Sequence, residues 1–137
     1  MEQIYSKINK EVIAVINRRS SIVKDRLNLC DASEYLQVAA KKLDNKTSFV
    51  PHRHKILKRE TDRTQEAWVF LSGSVLVKLY DLDNSLIVET VLSAGDCVVV
   101  FKAGHAFEVL EDDTILYEFK TGPYYGVEKD KEIIDEG

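Results

Sequence analysis

Hydrophobic positions along the chain follow one period up to residue 46 and another beyond it. Between residues 3 and 16 the apolar side chains recur at helical spacing, which predicts an amphipathic helix with the stripe Ile4, Ile8, Val12, Val15 and Ile16. Asp31 with Glu34 three positions later forms a capping-box pattern, so a second helix is predicted to begin near Asp31. Its buried face would consist of Leu36, Ala39, Ala40 and Leu43. Residues 1–46 are therefore predicted to form a helical segment.

From residue 47 onward, short apolar runs alternate with clusters of turn-forming residues. Such runs are typical of antiparallel strands, and strands are predicted at 49–50, 68–71, 75–80, 86–92, 97–101, 107–110 and 114–120. Many short strands with close turns favour an all-β sandwich or barrel. We expect a mainly β unit over residues 47–137, joined with the N-terminal helical segment in one compact domain.

Composition and charge narrow the classes of protein to consider. A chain of 137 residues with 45% hydrophobic and 31% charged residues is expected to form a single soluble domain. The net charge of −4 leaves no basic excess to neutralise phosphates, which argues against a nucleic-acid partner. The first residues do not resemble a signal peptide and no apolar run is long enough to span a membrane, so a cytoplasmic protein without a membrane partner is predicted. Cys30 and Cys97 fit no paired motif and are predicted to be buried free thiols.

The three histidines of the chain stand at positions suited to a shared metal site. His52 and His54 are two residues apart, so on a strand their side chains point to the same face. His105 follows a later apolar run and could supply a third imidazole. Neutral imidazole is a common ligand for zinc, iron, nickel and copper.

Two motifs around these histidines resemble those of the cupin superfamily. The first family motif has His-x-His, then a Glu, then six residues and a Gly, and here six residues separate Glu66 from Gly73. Eleven residues separate His54 from Glu66, where the family usually has three or four, so residues 55–65 are predicted to form an enlarged hairpin loop. Glu60 lies closer to His54 and is the competing carboxylate. The second motif, from Gly95 to His105, is one residue shorter than in the family.

Within that superfamily the chain looks closest to the WbuC-type cupin fold metalloproteins. That branch has an Arg-rich stretch in an N-terminal helical segment, then Pro-His-Arg-His, and later Glu-x-Lys-x-Gly-Pro-Tyr. The corresponding residues here are 18–20, 51–54 and 118–124, so the resemblance covers most of the chain. The branch often ends in a Trp-Ala-Pro-like stretch, which this chain lacks.

The resemblance implies a double-stranded β-helix, or jelly-roll, barrel around one divalent metal ion. By that resemblance the metal ligands are His52, His54, Glu66 and His105, which leave coordination positions open to water or substrate. The ligand set does not distinguish zinc, iron, manganese and nickel. Cupins generally associate through their outer sheets, so a homodimer is expected. The alternative is that the N-terminal apolar stripe packs on its own barrel.

The same branch is associated with the biosynthesis of O-antigen and other surface polysaccharides. The resemblance therefore implies a small-molecule substrate, a sugar or nucleotide sugar, and isomerase- or epimerase-like chemistry with the metal as a Lewis acid. Such a reaction needs a base, and the candidates are Glu66, if it does not bind the metal, and Tyr124, whose alternative role is packing. Arg18, Arg19 and Arg26 are candidate phosphate contacts. The alternative functions are an iron-dependent dioxygenase and a non-enzymatic small-ligand-binding cupin.

Overall fold

A computed structural model describes residues 1–23 and 25–135, and most of their regular structure is β-strand. No helix in these two ranges is long and apolar enough to cross a lipid bilayer. The described elements are β1 (Glu2–Tyr5), β2 (Val12–Asn17), a 3-10 turn (Arg19–Ser21), β3 (Leu27–Asn28), β4 (Ala39–Ala40), β5 (Glu66–Ser72), β6 (Ser74–Tyr80), β7 (Leu86–Ser93), β8 (Cys97–Val100), β9 (Gly104–Val109), β10 (Ile115–Lys120) and α1 (Val127–Asp130).

Two larger antiparallel sheets pack face to face. One has five strands in the order β1-β2-β8-β5-β10, and the other has three in the order β7-β6-β9. Strands β3 and β4 form a separate short pair. The core between the two larger sheets is built from alternate positions of both, including Trp68, Phe70, Val77, Leu79 and Leu92. The prediction of a mainly β fold is confirmed.

A second apolar layer covers the outer face of the five-stranded sheet. Val15, Ala67, Cys97 and Val99 point to this face and are buried by residues 27–40, chiefly Leu29, Leu36 and Val38. Cys30 and Cys97 are both free thiols, as predicted, although Cys30 is half-buried. Burial, with the nearby charge of Asp96, raises the pKa of the Cys97 thiol to about 12. Cys97 therefore stays protonated at neutral pH and behaves as a small apolar side chain.

The predicted helix over residues 3–16 is wrong, because β1 and β2 form an antiparallel hairpin there. In its turn the Ser6 amide donates to the Glu11 carbonyl and the Lys10 amide donates to the Ser6 carbonyl. Lys10 has a positive φ of 64°, which is incompatible with a continuing helix. Strand β2 is covered on both faces, one by the core and the other by residues 27–40. A strand buried on both faces has a continuous apolar run instead of strict alternation, and such a run fits helical spacing equally well. Ile8, a member of the predicted stripe, is 58% exposed.

The predicted second helix near Asp31 is also wrong. The Asp31 carboxylate accepts a hydrogen bond from the Ser33 amide, and the Glu34 amide donates to the Asp31 carbonyl, so the capping pattern forms a turn. The chain then becomes extended, and β4 pairs with β3. The apolar positions that pack on the sheet, Leu36, Val38 and Ala40, follow a period of two. Leu43, predicted to be buried, is 45% exposed.

Arg18 fastens the end of β2 to the turn between β7 and β8. Its guanidinium donates to the Asp96 carboxylate at 3.1 Å and to the Thr90 hydroxyl at 2.9 Å. The other Asp96 oxygen accepts the Arg19 amide at 2.9 Å. The Arg18 guanidinium, a predicted phosphate contact, is thus engaged within the fold.

The later strands agree with the sequence prediction, but the predicted strand at 49–50 does not form. Strands β5 to β10 lie where the alternating runs from residue 68 onward placed them. Residues 41–65, in contrast, contain neither helix nor strand. Strands β1 and β2 belong to the same sheet as β5, β8 and β10. The boundary between residues 46 and 47 stays a prediction.

Candidate functional site

Glu66 and His105 meet at one end of the space between the two sheets. Alternation along β5 turns Glu66 to the inner face together with Trp68 and Phe70, and β9 brings His105 opposite. The Glu66 Oε2 and His105 Nε2 atoms lie 2.9 Å apart. The Glu66 side chain is 6% exposed and the His105 side chain 28%, so the carboxylate is buried while the imidazole retains access to solvent.

The Trp68 indole packs directly against the His105 imidazole, and Phe107 packs against the indole. The Trp68 ring meets the imidazole edge to face at 4.9 Å between centroids, and Phe107 packs on the same indole at 5.3 Å. The Trp68 Nε1–H donates to the Glu118 carboxylate at 3.3 Å. Because the Trp68 indole and the Glu66 carboxylate both contact the imidazole, His105 is held in place before any ligand binds.

The charges around Glu66 keep it ionised. Burial by itself would raise the pKa of Glu66, but the hydrogen bond and charge of His105, with Lys120 3.9 Å away, outweigh burial and lower that pKa. Burial acts to lower the pKa of Lys120, yet the carboxylates of Glu118, at 3.4 Å, and Glu66 raise it overall. The site therefore holds an ionised carboxylate beside an ammonium group at neutral pH.

The lowered pKa of Glu66 predicts a loss of stability in acid. Because this carboxylate titrates below its ordinary value of 4.5 when folded, its stabilising contribution is present above that value and is lost as pH falls through the folded pKa. We expect Glu66→Gln to flatten this part of the stability curve, measured by urea unfolding between neutral and acidic pH. Glu89→Gln, at an exposed position of β7, should keep the natural slope. An unchanged slope in Glu66→Gln would contradict the assignment.

Glu66 and His105 line an open cavity that consists of two adjoining depressions. Their volumes are about 530 and 950 Å³, and both include Glu66, Lys102 and His105. The larger depression is lined by six carboxylates and three lysines, together with the aromatic residues Trp68, Tyr80 and Phe107. This balance of charge favours a neutral polar ligand over an anionic one.

The predicted ligands His52 and His54 lie apart from this cavity. Both are exposed on residues 41–65, with ring centroids 5.7 Å apart, and the His52 Nδ1 atom is 2.8 Å from the Val50 carbonyl oxygen. Among residues 1–23 and 25–135, no three His, Cys, Asp or Glu side chains are grouped closely enough to hold one metal ion. The four predicted ligands thus do not fit one metal centre in this arrangement. The divalent metal stays a prediction from the sequence.

The two other predicted candidates occupy different surroundings. Glu60, the competing carboxylate, is exposed and pairs with Lys58 at 2.5 Å. Tyr124 is 55% exposed, and the Lys120 ammonium lies 5.1 Å from the centre of its ring. Lys120 in turn contacts Glu66, so Tyr124 reaches the site through this lysine.

Sequence reasoning missed the contributions of Lys120 and Trp68 to this site. In the pairing of β10 with β5, Lys120 lies opposite Glu66 and Glu118 lies opposite Trp68. The alternation of Leu116, Glu118 and Lys120 indicates a common face. The side chains that lie beside this face depend on the strand that pairs with β10. That pairing joins segments about fifty residues apart, and the local pattern does not specify it.

Comparisons with protein-family models, with curated proteins and with solved structures found no match for this chain. The resemblance to cupins therefore depends on the motifs themselves. The geometry around Glu66 and His105 provides separate evidence on what the site does.

Proposed function

We propose that this protein is a cupin-type enzyme that transfers a proton on a sugar, an isomerase- or epimerase-like reaction in surface polysaccharide (O-antigen-type) biosynthesis. The observation that carries the proposal is the 2.9 Å contact between Glu66 and His105 on the wall of an open cavity. Two facing antiparallel sheets are compatible with the jelly-roll barrel of that superfamily. The polysaccharide pathway comes from the motif resemblance alone.

In this proposal His105 carries the proton and Glu66 is a positioning residue. The ionised Glu66 accepts the Nε2–H of His105, which leaves the Nδ1 lone pair to exchange protons and stabilises the imidazolium that forms. The Nδ1 atom is 3.5 Å from the Ala103 carbonyl, too far for a strong competing hydrogen bond. His105 removes the proton from the carbon beside the sugar carbonyl, which leaves an enediolate, and the proton held on Nδ1 exchanges with solvent. A solvent-derived proton then returns from Nδ1 either to the same carbon on the opposite face, which gives the epimer, or to the former carbonyl carbon while the hydroxyl proton passes to the other enediolate oxygen, which gives the isomer. The reaction is redox-neutral in both cases.

The charge of the cavity favours a neutral sugar over a nucleotide sugar. Carboxylates accept hydrogen bonds from sugar hydroxyls, and six of them line the larger depression. Lys102, one of the lining cations, is already paired with Glu11 at 2.5 Å. The diphosphate of a nucleotide sugar would have to break ion pairs such as this one, and the surrounding carboxylates would repel it.

The test is deuterium exchange into candidate sugars in D₂O, followed by NMR. We expect the natural chain to place deuterium on the carbon next to the carbonyl of one neutral aldose or ketose, and His105→Gln to do so far more slowly. The same sugar should raise the melting temperature, since a ligand at 100 times its Kd stabilises by about 2.7 kcal/mol. Nucleotide sugars form the second arm of the panel.

Each result of this panel identifies a different function. Binding without deuterium exchange would indicate a non-enzymatic sugar-binding cupin, and neither binding nor exchange across the panel would contradict the proposal. The iron-dependent dioxygenase stays the alternative from the sequence. Oxygen consumption after anaerobic iron loading tests it separately.

A further inference from the structure

Residues 126–134, called here the closing segment, cross from the entry of β5 to the start of β9. At the first point the Thr64 hydroxyl, just ahead of β5, donates to the Asp130 carboxylate. At the second the Ile134 side chain lies directly over Gly104, the first residue of β9. The closing segment therefore contacts both sheets, next to the two strands that carry the proton-transfer pair.

The closing segment forms one wall of the larger depression of the cavity. Residues 130–134 all line this depression, which also includes Glu66 and His105. Six carboxylates against three lysines leave its lining with an excess of three negative charges. Two of the six carboxylates, Asp130 and Glu132, belong to the closing segment. Much of the negative charge of the cavity thus comes from this one wall.

The charge of Asp130 extends to the proton-transfer pair. Burial acts to lower the pKa of Lys120, yet nearby carboxylates, Asp130 among them, raise it overall. Lys120 in turn lies 3.9 Å from the Glu66 carboxylate. A cleft lined by an excess of one charge focuses the electric field and changes the local concentration of ions. A negative wall at this place therefore lowers the concentration of anions beside Glu66 and His105.

We propose that the closing segment determines the charge specificity of the cavity, with Asp130 and Glu132 repelling anionic ligands while neutral sugars enter. The proposal rests on the proposed function for the neutral sugar as ligand. The diphosphate of a nucleotide sugar carries more charge than a halide ion, so the same wall repels it more strongly. Neutralising the two carboxylates should admit anions to the cavity.

The single tryptophan of the chain makes this charge measurable without a substrate. Trp68 lines the larger depression and is only 2% exposed, so a dissolved quencher reaches its ring through the cavity. Quenching of its fluorescence by iodide, an anion, is compared with quenching by neutral acrylamide at constant low ionic strength, because salt screens exposed charges. We expect the ratio of the iodide to the acrylamide quenching constant to rise at least about twofold in the double variant Asp130→Asn/Glu132→Gln. Asparagine keeps an oxygen that accepts the Thr64 hydrogen bond, so the closing segment should stay in place.

Two further variants separate local charge from net charge and from covering. Glu2→Gln/Glu89→Gln removes the same net charge from exposed positions of β1 and β7, and it should leave the ratio unchanged. Gly104→Ala places a methyl group where the Ile134 side chain lies, which displaces the closing segment from β9. Quenching by acrylamide should then rise about twofold as well, with an unchanged circular dichroism spectrum.

Three results would overturn the proposal. An unchanged ratio in Asp130→Asn/Glu132→Gln would show that the closing segment does not repel anions. Equal increases in both double variants would assign the effect to net charge. Unchanged acrylamide quenching in Gly104→Ala, although the NMR signal of the Ile134 methyl group has moved, would show that the segment does not cover the cavity. The proton-transfer proposal is tested separately, because these measurements need no sugar and deuterium incorporation needs no quencher.

Discussion

Replacing Phe70 by alanine is expected to lower the free energy of unfolding by about 3–5 kcal/mol. Phe70 is fully buried in the middle of β5, where it packs in the core that the two larger sheets share. Its backbone is held by hydrogen bonds to Asp96 and Gly95, so the strand cannot shift to fill the space left by the ring. Both the lost burial and the remaining cavity contribute to the cost. Urea unfolding at neutral pH measures the change.

Phe119→Ala is the matched control, since it removes the same side chain from an exposed position. Phe119 lies on β10, at the edge of the five-stranded sheet, and is 51% exposed. Its replacement should change stability by no more than about 0.5 kcal/mol. Similar losses in the two variants would show that the core is not centred between the sheets as described.

His105→Gln is expected to slow proton exchange into the sugar by about 10²- to 10⁴-fold. Glutamine keeps a polar side chain on β9 but has no group that takes up a proton near neutral pH. Because Glu66 is proposed to act through His105, adding Glu66→Gln to His105→Gln should lower the rate no further. The rate of deuterium incorporation at saturating sugar is measured for the natural chain, for His105→Gln and for the double variant.

Glu89→Gln controls for the loss of a titratable side chain away from the cavity, and it should keep the natural rate. If the double variant were much slower than His105→Gln alone, Glu66 would have a direct role of its own. If Tyr124→Phe were as slow as His105→Gln, the phenol and not the imidazole would be the proton carrier.

The later strands were predictable because each has a local signal. Val75, Val77 and Leu79 alternate with less buried positions, and the hairpin that follows turns at Asp81–Ser85. The N-terminal strands have no such signal. Strand β2 is covered by residues 27–40 as well as by the core, and a segment buried on both faces loses the alternation that distinguishes a strand from a helix.

Within the candidate site, the position of Glu66 was predictable because its spacing from Gly73 reflects a requirement of the backbone. Gly73 has a positive φ of 71° and no room for a Cβ beside Thr114, so the tight turn after β5 requires glycine there. Counting back from it locates Glu66, which the structure brings to His105. The positions of His52 and His54 depend on the path of a 25-residue stretch without regular structure, and no local pattern specifies that path.

The reactivity of the Cys97 thiol can report how often residues 27–40 move away from the outer face of the five-stranded sheet. Its thiol lies beneath residues 27–40 and stays protonated, with a pKa of about 12. Reagents that react with thiolates should therefore label Cys97 slowly, at a rate set by how often residues 27–40 expose it. With Cys30 changed to serine, the time course of labelling would give the frequency of this opening without unfolding the remainder of the molecule.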